Sequence, residues 1–281
     1  MTTTGVLAFS AAFALGIFTA RVAPQSVMQR PPLTSPRLYL FDCGTLEGDP
    51  ARFNLKREEM ATTDMSIGCY LIVHPKGVLM WDTGAVPDAD VKSATERTRY
   101  HIQLTNADRY VTLEKSLMAQ LTEAGYAPTV VTHLALSHYH YDHTANANAF
   151  ASATWLVRQA ERDAMFAEKP PDLIKRATFD RLAGSKTVII GADDHDVFGD
   201  GSVVIKWAPG HTPGHQVLFV KLVKTGPVLL SGDLYHYPEE VRLDRVPTLM
   251  AFPYSRVLRR ATGEESGTHD HAMGVHIGRL A

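Results

Sequence analysis

Three histidines and one aspartate stand within six consecutive positions of the segment 137–143, which reads Ser-His-Tyr-His-Tyr-Asp-His. Imidazole nitrogens and a carboxylate are ligands that suit a borderline divalent cation such as zinc. Because alternate side chains of an extended segment point the same way, His138 and His140 can bind one ion at the end of a strand. Asp142 and His143 follow where the chain turns, and they can face a second ion. The other interpretation, a solvated histidine-rich loop, is disfavoured because matching ligands occur further along the chain.

Two later segments carry these matching ligands. The segment 210–215 reads Gly-His-Thr-Pro-Gly-His and contains His211, and the segment 231–233 reads Ser-Gly-Asp and ends at Asp233. Together with the His-x-His-x-Asp-His pattern, they resemble the metal signature of the metallo-β-lactamase fold superfamily. The resemblance runs from about Leu38 to about Val246. Its specificity comes from the joint occurrence of the three motifs, since any one alone is a much weaker signal.

The resemblance implies a centre of two divalent metal ions, with zinc as the first choice and cobalt, manganese or iron as alternatives. Two ions can share a water and lower its pKa toward neutrality, which argues for hydrolysis without a covalent protein nucleophile. The implied ligands of the first ion are His138, His140 and His211, those of the second are Asp142 and His143, and Asp233 bridges the two ions.

A closing histidine near the C-terminus is also expected for the second ion. His269, which is followed by Asp270, is the first candidate, and His271 is the second. No apolar strand precedes these histidines, so the tail from about residue 247 is atypical. By the same resemblance, Asp82 in an Asp-Thr-Gly motif and His215 support the metal ligands without binding the ions.

The residues after Asp233 are candidates for catalysis, together with Asp142 and Asp233 themselves. Many lactonases of the superfamily place a tyrosine three residues after the bridging aspartate, where this chain has His236 between Tyr235 and Tyr237. A histidine can donate a hydrogen bond at the same place, or a neighbouring tyrosine can turn into the site. His236 and Tyr235 are therefore the two candidates for this role.

The choice of activity within the superfamily rests on two features. A bridging Asp233 argues against the β-lactamases proper, and the long segment before His138 looks like the N-acyl-homoserine lactonases and is longer than in glyoxalase II. We therefore expect a dinuclear hydrolase that opens the lactone ring of N-acyl-homoserine lactones (quorum quenching) by a metal-bridging hydroxide. One alternative is a glyoxalase II-like thioesterase or other ester hydrolase of the same fold. A metal-binding protein without catalysis, owing to the atypical C-terminus, is an alternative of another class.

The elements that must position these residues are those of an α/β fold. Leu113, Leu117 and Leu121 recur at helical spacing, and Gly125 follows as a cap. Strands with helices between them in both halves imply two packed sheets with helices outside. The resemblance specifies a four-layered αββα sandwich with the metals at the lip between the sheets. Short apolar runs predict strands at 37–44, 69–84 (a hairpin), 130–136, 155–157, 187–190, 202–207, 216–223 and 228–230.

Composition limits the partners. The 281 residues include 28 basic and 30 acidic side chains, a formal net charge of −2, and no run of like charge indicates nucleic-acid binding. The expected partner is a small-molecule acyl lactone or ester. Met60, Met65 and Ile67 are expected to pack in the core or on the surface, and an acyl-chain channel is the alternative. A homodimer is favoured by analogy alone. His74, His101, His195 and His276 lack companion ligands, and we expect them at the surface.

Domain organisation and location depend on the N-terminus. Residues 1–30 are interpreted as a signal peptide with a linker, and 31–281 as one hydrolase domain. The alternatives for 1–30 are a retained anchor, a misassigned start or a disordered tail. We expect a periplasmic or secreted protein, or a cytoplasmic one if the leader is not a signal. Cys43 and Cys69 are expected to be two free thiols in the core.

Overall fold

The structure, a computed structural model, describes residue 1 and the ranges 33–92, 95–191 and 193–245. Within these ranges no helix is long and apolar enough to cross a membrane. The strands are β1 Arg37–Leu46, β2 Met65–His74, β3 Gly77–Trp81, β4 Thr98–Gln103, β5 Asp108–Leu113, β6 His133–Ala135, β7 Thr154–Arg158, β8 Thr187–Ile190, β9 His195–Asp196, β10 Val203–Trp207, β11 Gln216–Leu222 and β12 Gly226–Leu230. The α-helices are α1 Leu117–Glu123, α2 Tyr141–Thr144, α3 Gln159–Phe166 and α4 Pro238–Arg242.

The strands form two sheets. The larger has eight strands in the order β4-β5-β1-β2-β3-β6-β7-β8, and the smaller has four in the order β12-β11-β10-β9. Strands β3, β6, β7 and β8 run parallel to one another, whereas the remaining pairs are antiparallel. The expected α/β class with two large sheets is therefore confirmed.

Strand β2 shows how the sequence builds two cores. Cys69 and Leu71 face the core on the helix side of the large sheet, while Tyr70 and Ile72 face a second core. That second core also contains Ile205 of β10, so it lies between the two sheets. Successive strand residues point to opposite faces, and an almost continuous apolar run therefore covers both.

The metal motif follows β6, a short parallel strand next to β3. Leu134 pairs with Met80 of β3, and Asp82 N–H donates to the carbonyl of Ala135 at 3.1 Å. The Asp-Thr-Gly segment after β3 and the ligand loop after β6 consequently lie side by side. Functional residues at the carboxyl ends of parallel strands are a common arrangement in α/β proteins.

Most of the predicted elements occur, with boundary differences. The hairpin turns at Lys76 as expected, between β2 and β3. Leu113 is the last residue of β5 and is not helical, because helix α1 begins only after Ser116, whose side chain accepts a hydrogen bond from Ala119 N–H. Strand β4, Thr98–Gln103, is not among the predicted strands.

Cys43 and Cys69 form a disulfide, so the prediction of two free thiols is wrong. Phe41 is the cross-strand partner of Cys69, and Cys43 follows Phe41 by two residues on the same face of β1. The Cα atoms of the two cysteines lie 5.9 Å apart, within the usual range for a disulfide. The strand register, which the sequence does not display, brings the two sulfur atoms together.

His74 is also not where we expected it. Its side chain is buried, its Nε2 lies 2.9 Å from Asp200 Oδ2, and its ring stacks on Phe198 with centroids 4.2 Å apart. A carboxylate partner and an aromatic face let an imidazole occupy a core position. His101 is exposed as expected, His195 is half-buried, and His276 lies outside the described residues.

Candidate metal centre

The ligand loop runs from Ser137 into the single turn of α2. His140 is the N-cap residue of α2, with an extended backbone, and Asp142 and His143 lie within that turn. The backbone is extended before α2 and helical within it. The side chains of His138 and His140 therefore point to one place, and those of Asp142 and His143 point to a neighbouring one. The sequence pattern therefore produces two ligand groups from one short loop.

The first group contains His138, His140, His211 and Asp233. His138 Nε2 lies 2.9 Å from His140 Nδ1, and His211 Nε2 lies 3.1 Å from His138 Nε2 and 2.9 Å from His140 Nδ1. Three ring nitrogens thus meet at one point, although His211 is more than seventy residues away in the chain.

The second group contains Asp142, His143 and Asp233. His143 Nε2 is 3.1 Å from Asp233 Oδ1 and 4.0 Å from Asp142 Oδ2. The other oxygen of Asp233, Oδ2, lies 3.5 Å from His211 Nε2 in the first group. Asp233 therefore faces each group with a different oxygen, which is the arrangement of a bridging carboxylate.

The donor set fits divalent metal ions. Two nitrogen ligands of a tetrahedral zinc ion are roughly 3.3 Å apart, close to the separations in the histidine triangle. Each nitrogen offers one N–H or one lone pair, so three mutual contacts cannot all be hydrogen bonds. Among the described residues, buried His143 Nε2 makes no hydrogen bond of acceptable geometry. A cation accounts for both features.

Asp82 and Ser137 orient the ligand rings. Asp82 Oδ2 lies 2.9 Å from His143 Nδ1, and Ser137 Oγ lies 3.1 Å from Nδ1 of both His138 and His143. Thr83 N–H and hydroxyl both donate to the carbonyl of His143, at 2.8 and 3.0 Å. Contacts of this kind fix which ring nitrogen faces a metal ion, so the expected supporting role of Asp82 has a geometric basis.

His215 supports Asp233 in a similar way. Its Nδ1 donates to the carbonyl of Ala208 at 3.0 Å, and its Nε2 accepts a hydrogen bond from Asp233 N–H at 3.2 Å. Gly232 has φ +53°, and a Cβ atom there would lie 2.7 Å from Ser137 Cβ and 2.9 Å from His215 Nε2. Only glycine permits this approach. His215 thus contacts the backbone of a ligand, and it belongs to neither ligand group.

Burial keeps the three histidines of the first ligand group neutral. Burial is the main cause that lowers the pKa of His138, His140 and His211, that of His140 to about 3. Burial opposes ionisation of Asp233 as well, but His143 and His236 more than offset it and hold the Asp233 pKa well below its usual value. Neutral imidazoles beside a charged carboxylate are the protonation states that bind metal.

His236 and Tyr235 have different positions. His236 lines the site cavity, with Nε2 3.3 Å from Asp233 Oδ2, and its ring packs against Phe53 at 4.4 Å between centroids. Glu240 Oε2 accepts hydrogen bonds from the N–H groups of His236 and Tyr237, and Tyr237 Oη donates to Thr63 O. Tyr235 is buried and is not among the cavity-lining residues. This geometry favours His236 over Tyr235 as the residue that contacts substrate.

A cavity of about 390 Å³ opens above the two ligand groups. This volume suits a small-molecule ligand. Part of its wall is apolar, with Leu46, Phe53 and Met65, and another part contains Arg52 and Arg109. A neighbouring groove of about 440 Å³ shares all five of these residues, so it continues the cavity along the surface.

Met60, Met65 and Ile67 are all buried in the core, as expected for packing residues. Of the three, Met65 also lines this cavity. Arg52 and Arg109 were not predicted from the sequence. Glu161 was not predicted either, and it contacts both the loop that carries His138 and His140 and the loop that carries His211. The closing-ligand candidates His269 and His271 lie outside the described residues, as does the whole tail from residue 246.

Comparisons with known proteins agree with this geometry. Residues 62–272 match the profile of the metallo-beta-lactamase superfamily. The N-acyl homoserine lactonase AttM of Azorhizobium caulinodans is 30% identical over 256 residues, which cover 85% of this chain and 94% of the relative. The N-acyl homoserine lactonase AiiA of Bacillus thuringiensis subsp. kurstaki is 27% identical over 221 residues, covering 76% and 82%. A crystal structure of a B. thuringiensis AiiA variant with bound N-decanoyl-L-homoserine superposes on this chain with a TM-score of 0.64. The two sequences are 24% identical, and the superposition covers 82% of this chain and 89% of the other. The two proteins therefore share a fold.

Proposed function

Because the chain belongs to the metallo-β-lactamase superfamily, we propose that it is a metal-dependent hydrolase that opens the lactone ring of N-acyl homoserine lactones. The observation that carries this proposal is the pair of ligand groups joined by Asp233 on the floor of a cavity. The substrate class comes from the lactonase relatives, of which AttM is aligned over nearly its whole length.

The proposed metal content is two zinc ions. Two ligand groups that share Asp233 support the count, and the predominance of imidazole donors supports zinc. His269 is the proposed closing ligand of the second ion, with His271 as the alternative. Support for a ligand in this region comes from the family match, which extends to residue 272.

When bound by these two ligand groups, divalent ions would lower the pKa of a bound water and would polarise the ring carbonyl. The chain contributes the groups that hold the substrate and move protons. Water adds to the ring carbonyl carbon, the ring C–O bond breaks, and the leaving alkoxide takes up a proton. Asp142, on the cavity wall, carries this proton from the water to the alkoxide. His236, beside Asp233, donates a hydrogen bond to the substrate oxygen on which charge develops.

The cavity walls suggest how the acyl amide binds. Leu46, Phe53 and Met65 offer an apolar surface for the acyl chain, which can extend into the neighbouring groove. Arg52 and Arg109 stand where the cavity and the groove meet, and their guanidinium groups can donate hydrogen bonds to the amide carbonyl.

Proton release tests the proposal directly. Metal-loaded full-length protein is mixed with N-hexanoyl-homoserine lactone in weak buffer, where each ring opening yields one carboxylic acid. We expect rapid acid release that His140→Ala abolishes, since this change removes a nitrogen from the first ligand group. Acid release from a thioester, and none from the lactone, would replace the proposal with a glyoxalase II-like activity. Metal-loaded protein that hydrolyses neither substrate would favour a metal-binding protein without catalysis.

We also propose that the protein is exported and that it forms a homodimer. The Cys43–Cys69 disulfide supports export to the periplasm or medium, because disulfides persist mainly in oxidising compartments. Sequencing the N-terminus of protein recovered from the periplasm tests cleavage within the first 30 residues, and an intact Met1 on cytoplasmic protein would overturn export. A homodimer is proposed by analogy, and the molar mass in solution tests it.

A further inference from the structure

Glu161 is a buried acidic residue in the first turn of α3, and its carboxylate contacts two loops. Oε1 accepts hydrogen bonds from Tyr139 N–H at 2.7 Å and from Thr212 Oγ1 at 2.9 Å. Oε2 accepts from Gly214 N–H at 2.8 Å and from the same Thr212 hydroxyl at 2.8 Å. Both oxygens are therefore used, each by at least one backbone N–H group.

The hydrogen-bond partners of Glu161 are close neighbours of the metal ligands in the sequence. Tyr139 separates His138 from His140, and Thr212 directly follows His211. One carboxylate thus joins the backbone of the loop after β6 to the backbone of the loop before β11. All three imidazoles of the first ligand group project from these two loops.

The packing around Glu161 is as specific as its hydrogen bonds. A Cβ atom on Gly214 would lie 2.5 Å from Glu161 Cβ and 2.8 Å from its backbone nitrogen. Only glycine at position 214 lets the second loop approach α3 this closely. A buried carboxylate is costly unless its oxygens are satisfied, so the contact is a built arrangement of three elements.

Glu161 has no direct part in substrate or metal binding within the described residues. It is absent from the walls of the site cavity and from both ligand groups. Its only route to the chemistry is through the backbone positions of the residues beside the ligands. A ligand triangle made from two separate loops requires that the loops stay in register with each other.

We propose that Glu161 is a positioning residue that holds the two loops of the first metal group together and so sets the metal affinity and geometry of that group. The inference rests on the proposed metal centre and is independent of which ester or lactone is hydrolysed. Residues that orient metal ligands typically change metal affinity 10–100-fold when they are replaced.

Glu161→Gln is the informative substitution. The amide keeps the size of the side chain but turns one acceptor oxygen into an NH₂ donor. That donor must face the N–H of Tyr139 or of Gly214, so one of the two loops loses its anchor. Glu161→Asp keeps two acceptor oxygens on a shorter stem and provides a partial rescue. Asp196→Asn is the matched control, because both oxygens of Asp196 also accept hydrogen bonds from backbone N–H groups, those of Phe198, Gly199 and Gly201, in a loop of the small sheet.

The test titrates metal-stripped full-length protein with Co²⁺, followed by its visible absorption bands, and with Zn²⁺ against a coloured chelator. For Glu161→Gln we expect a 10–100-fold weaker first binding step and a changed Co²⁺ spectrum. Glu161→Asp should lie between Glu161→Gln and wild type, and Asp196→Asn should equal wild type. Thermal unfolding of the metal-free variants separates loss of positioning from loss of fold.

Two results would overturn the role of Glu161. One is an unchanged Co²⁺ spectrum and Zn²⁺ affinity in Glu161→Gln. The other is a loss of affinity in both Glu161 variants that is fully accounted for by unfolding of their metal-free forms. Neither readout uses substrate, so a wild-type protein that binds metal but leaves lactones intact would refute the proposed function, and the affinity comparison would still decide the role of Glu161.

Discussion

Asp82 Oδ2 lies 2.9 Å from His143 Nδ1, although the two residues are 61 positions apart. The other oxygen, Oδ1, accepts a hydrogen bond from Ser137 N–H at 2.6 Å, at the start of the ligand loop. Asp82 has φ +56°, a left-handed conformation that aspartate and asparagine adopt more readily than other side chains. One residue with an uncommon backbone conformation therefore fixes both the beginning of the loop and the orientation of its last ligand.

Asp82→Asn should weaken the second ligand group and largely spare the first. Asparagine tolerates the same φ, but its NH₂ group can donate to His143 Nδ1 and so leave the proton on Nε2, the nitrogen that faces Asp233. We expect the affinity of the second ion to fall roughly 10–100-fold, measured as ions bound per chain during titration. Asp200→Asn is the control, since Asp200 pairs with His74 at the same 2.9 Å distance. Equal loss of both ions in Asp82→Asn would contradict this division of roles.

The sequence revealed the ligands, and by resemblance the supporting residues Asp82 and His215, because they lie in short motifs, but it did not reveal Glu161. His138, His140, Asp142 and His143 are neighbours in the chain, so their types and spacing suffice to indicate a metal site. Glu161 lies in an ordinary helix, and its contacts depend on how α3 packs under two loops.

The same distinction explains the wrong predictions for the two cysteines and for His74. The Cys43–Cys69 bond depends on the register between β1 and β2, and the burial of His74 depends on Asp200, 126 residues later. Long-range pairing of this kind leaves no local pattern. The strands were easier to predict, because apolar runs between turn residues report burial directly.

His236 should act as a hydrogen-bond donor to the substrate, and replacing it tests this role. His236→Phe keeps an aromatic ring against Phe53, 4.4 Å away between centroids, but has no donor. We expect kcat for N-hexanoyl-homoserine lactone to fall roughly 100-fold, the lower end of the range for loss of one such group, with little change in KM. His236→Tyr restores a donor and should retain most of kcat. Equal activity of the phenylalanine and tyrosine variants would show that the donor is unnecessary.

Arg52 should bind the polar part of the acyl chain. It is half-buried in the cavity wall, and burial, followed by the charge of Arg109, lowers its pKa. Two guanidinium groups at one junction favour an oxygen acceptor between them. For Arg52→Gln we expect KM to rise roughly tenfold, as for loss of a charge-assisted hydrogen bond, with kcat nearly unchanged. Arg181→Gln, an exposed position outside the cavity walls, is the control. A lower kcat with unchanged KM would instead place Arg52 in the chemical step.

The Cys43–Cys69 disulfide should contribute to stability. The two cysteines are separated by 26 positions, and closing a loop of that length stabilises a fold by about 3–4 kcal/mol in the chain-entropy description. Reduction should therefore lower the denaturant midpoint of the wild-type protein, and it should leave a Cys43→Ala/Cys69→Ala variant unaffected. Thiol titration of unfolded, unreduced protein provides an independent check, because two reactive thiols per chain would contradict the disulfide.

Glu161 should make the stability of the metal-free protein depend on pH. Burial raises the pKa of Glu161 from its usual 4.5 to about 7, against the hydrogen bonds from Thr212, Gly214 and Tyr139, which lower it. Between these two pKa values the folded state holds a proton that the unfolded state has released, so stability falls as pH rises. A shift of this size corresponds to about 3 kcal/mol, lost as the pH rises from about 5 to 8.

Glu161→Gln has no carboxyl group to titrate, and the histidines are common to both proteins. The stability of wild type minus that of Glu161→Gln, measured by denaturant unfolding without metal, should therefore decrease steadily across this pH range. A stability difference that is constant with pH would mean that the Glu161 carboxyl is already ionised at pH 5, with its charge fully stabilised by the two loops.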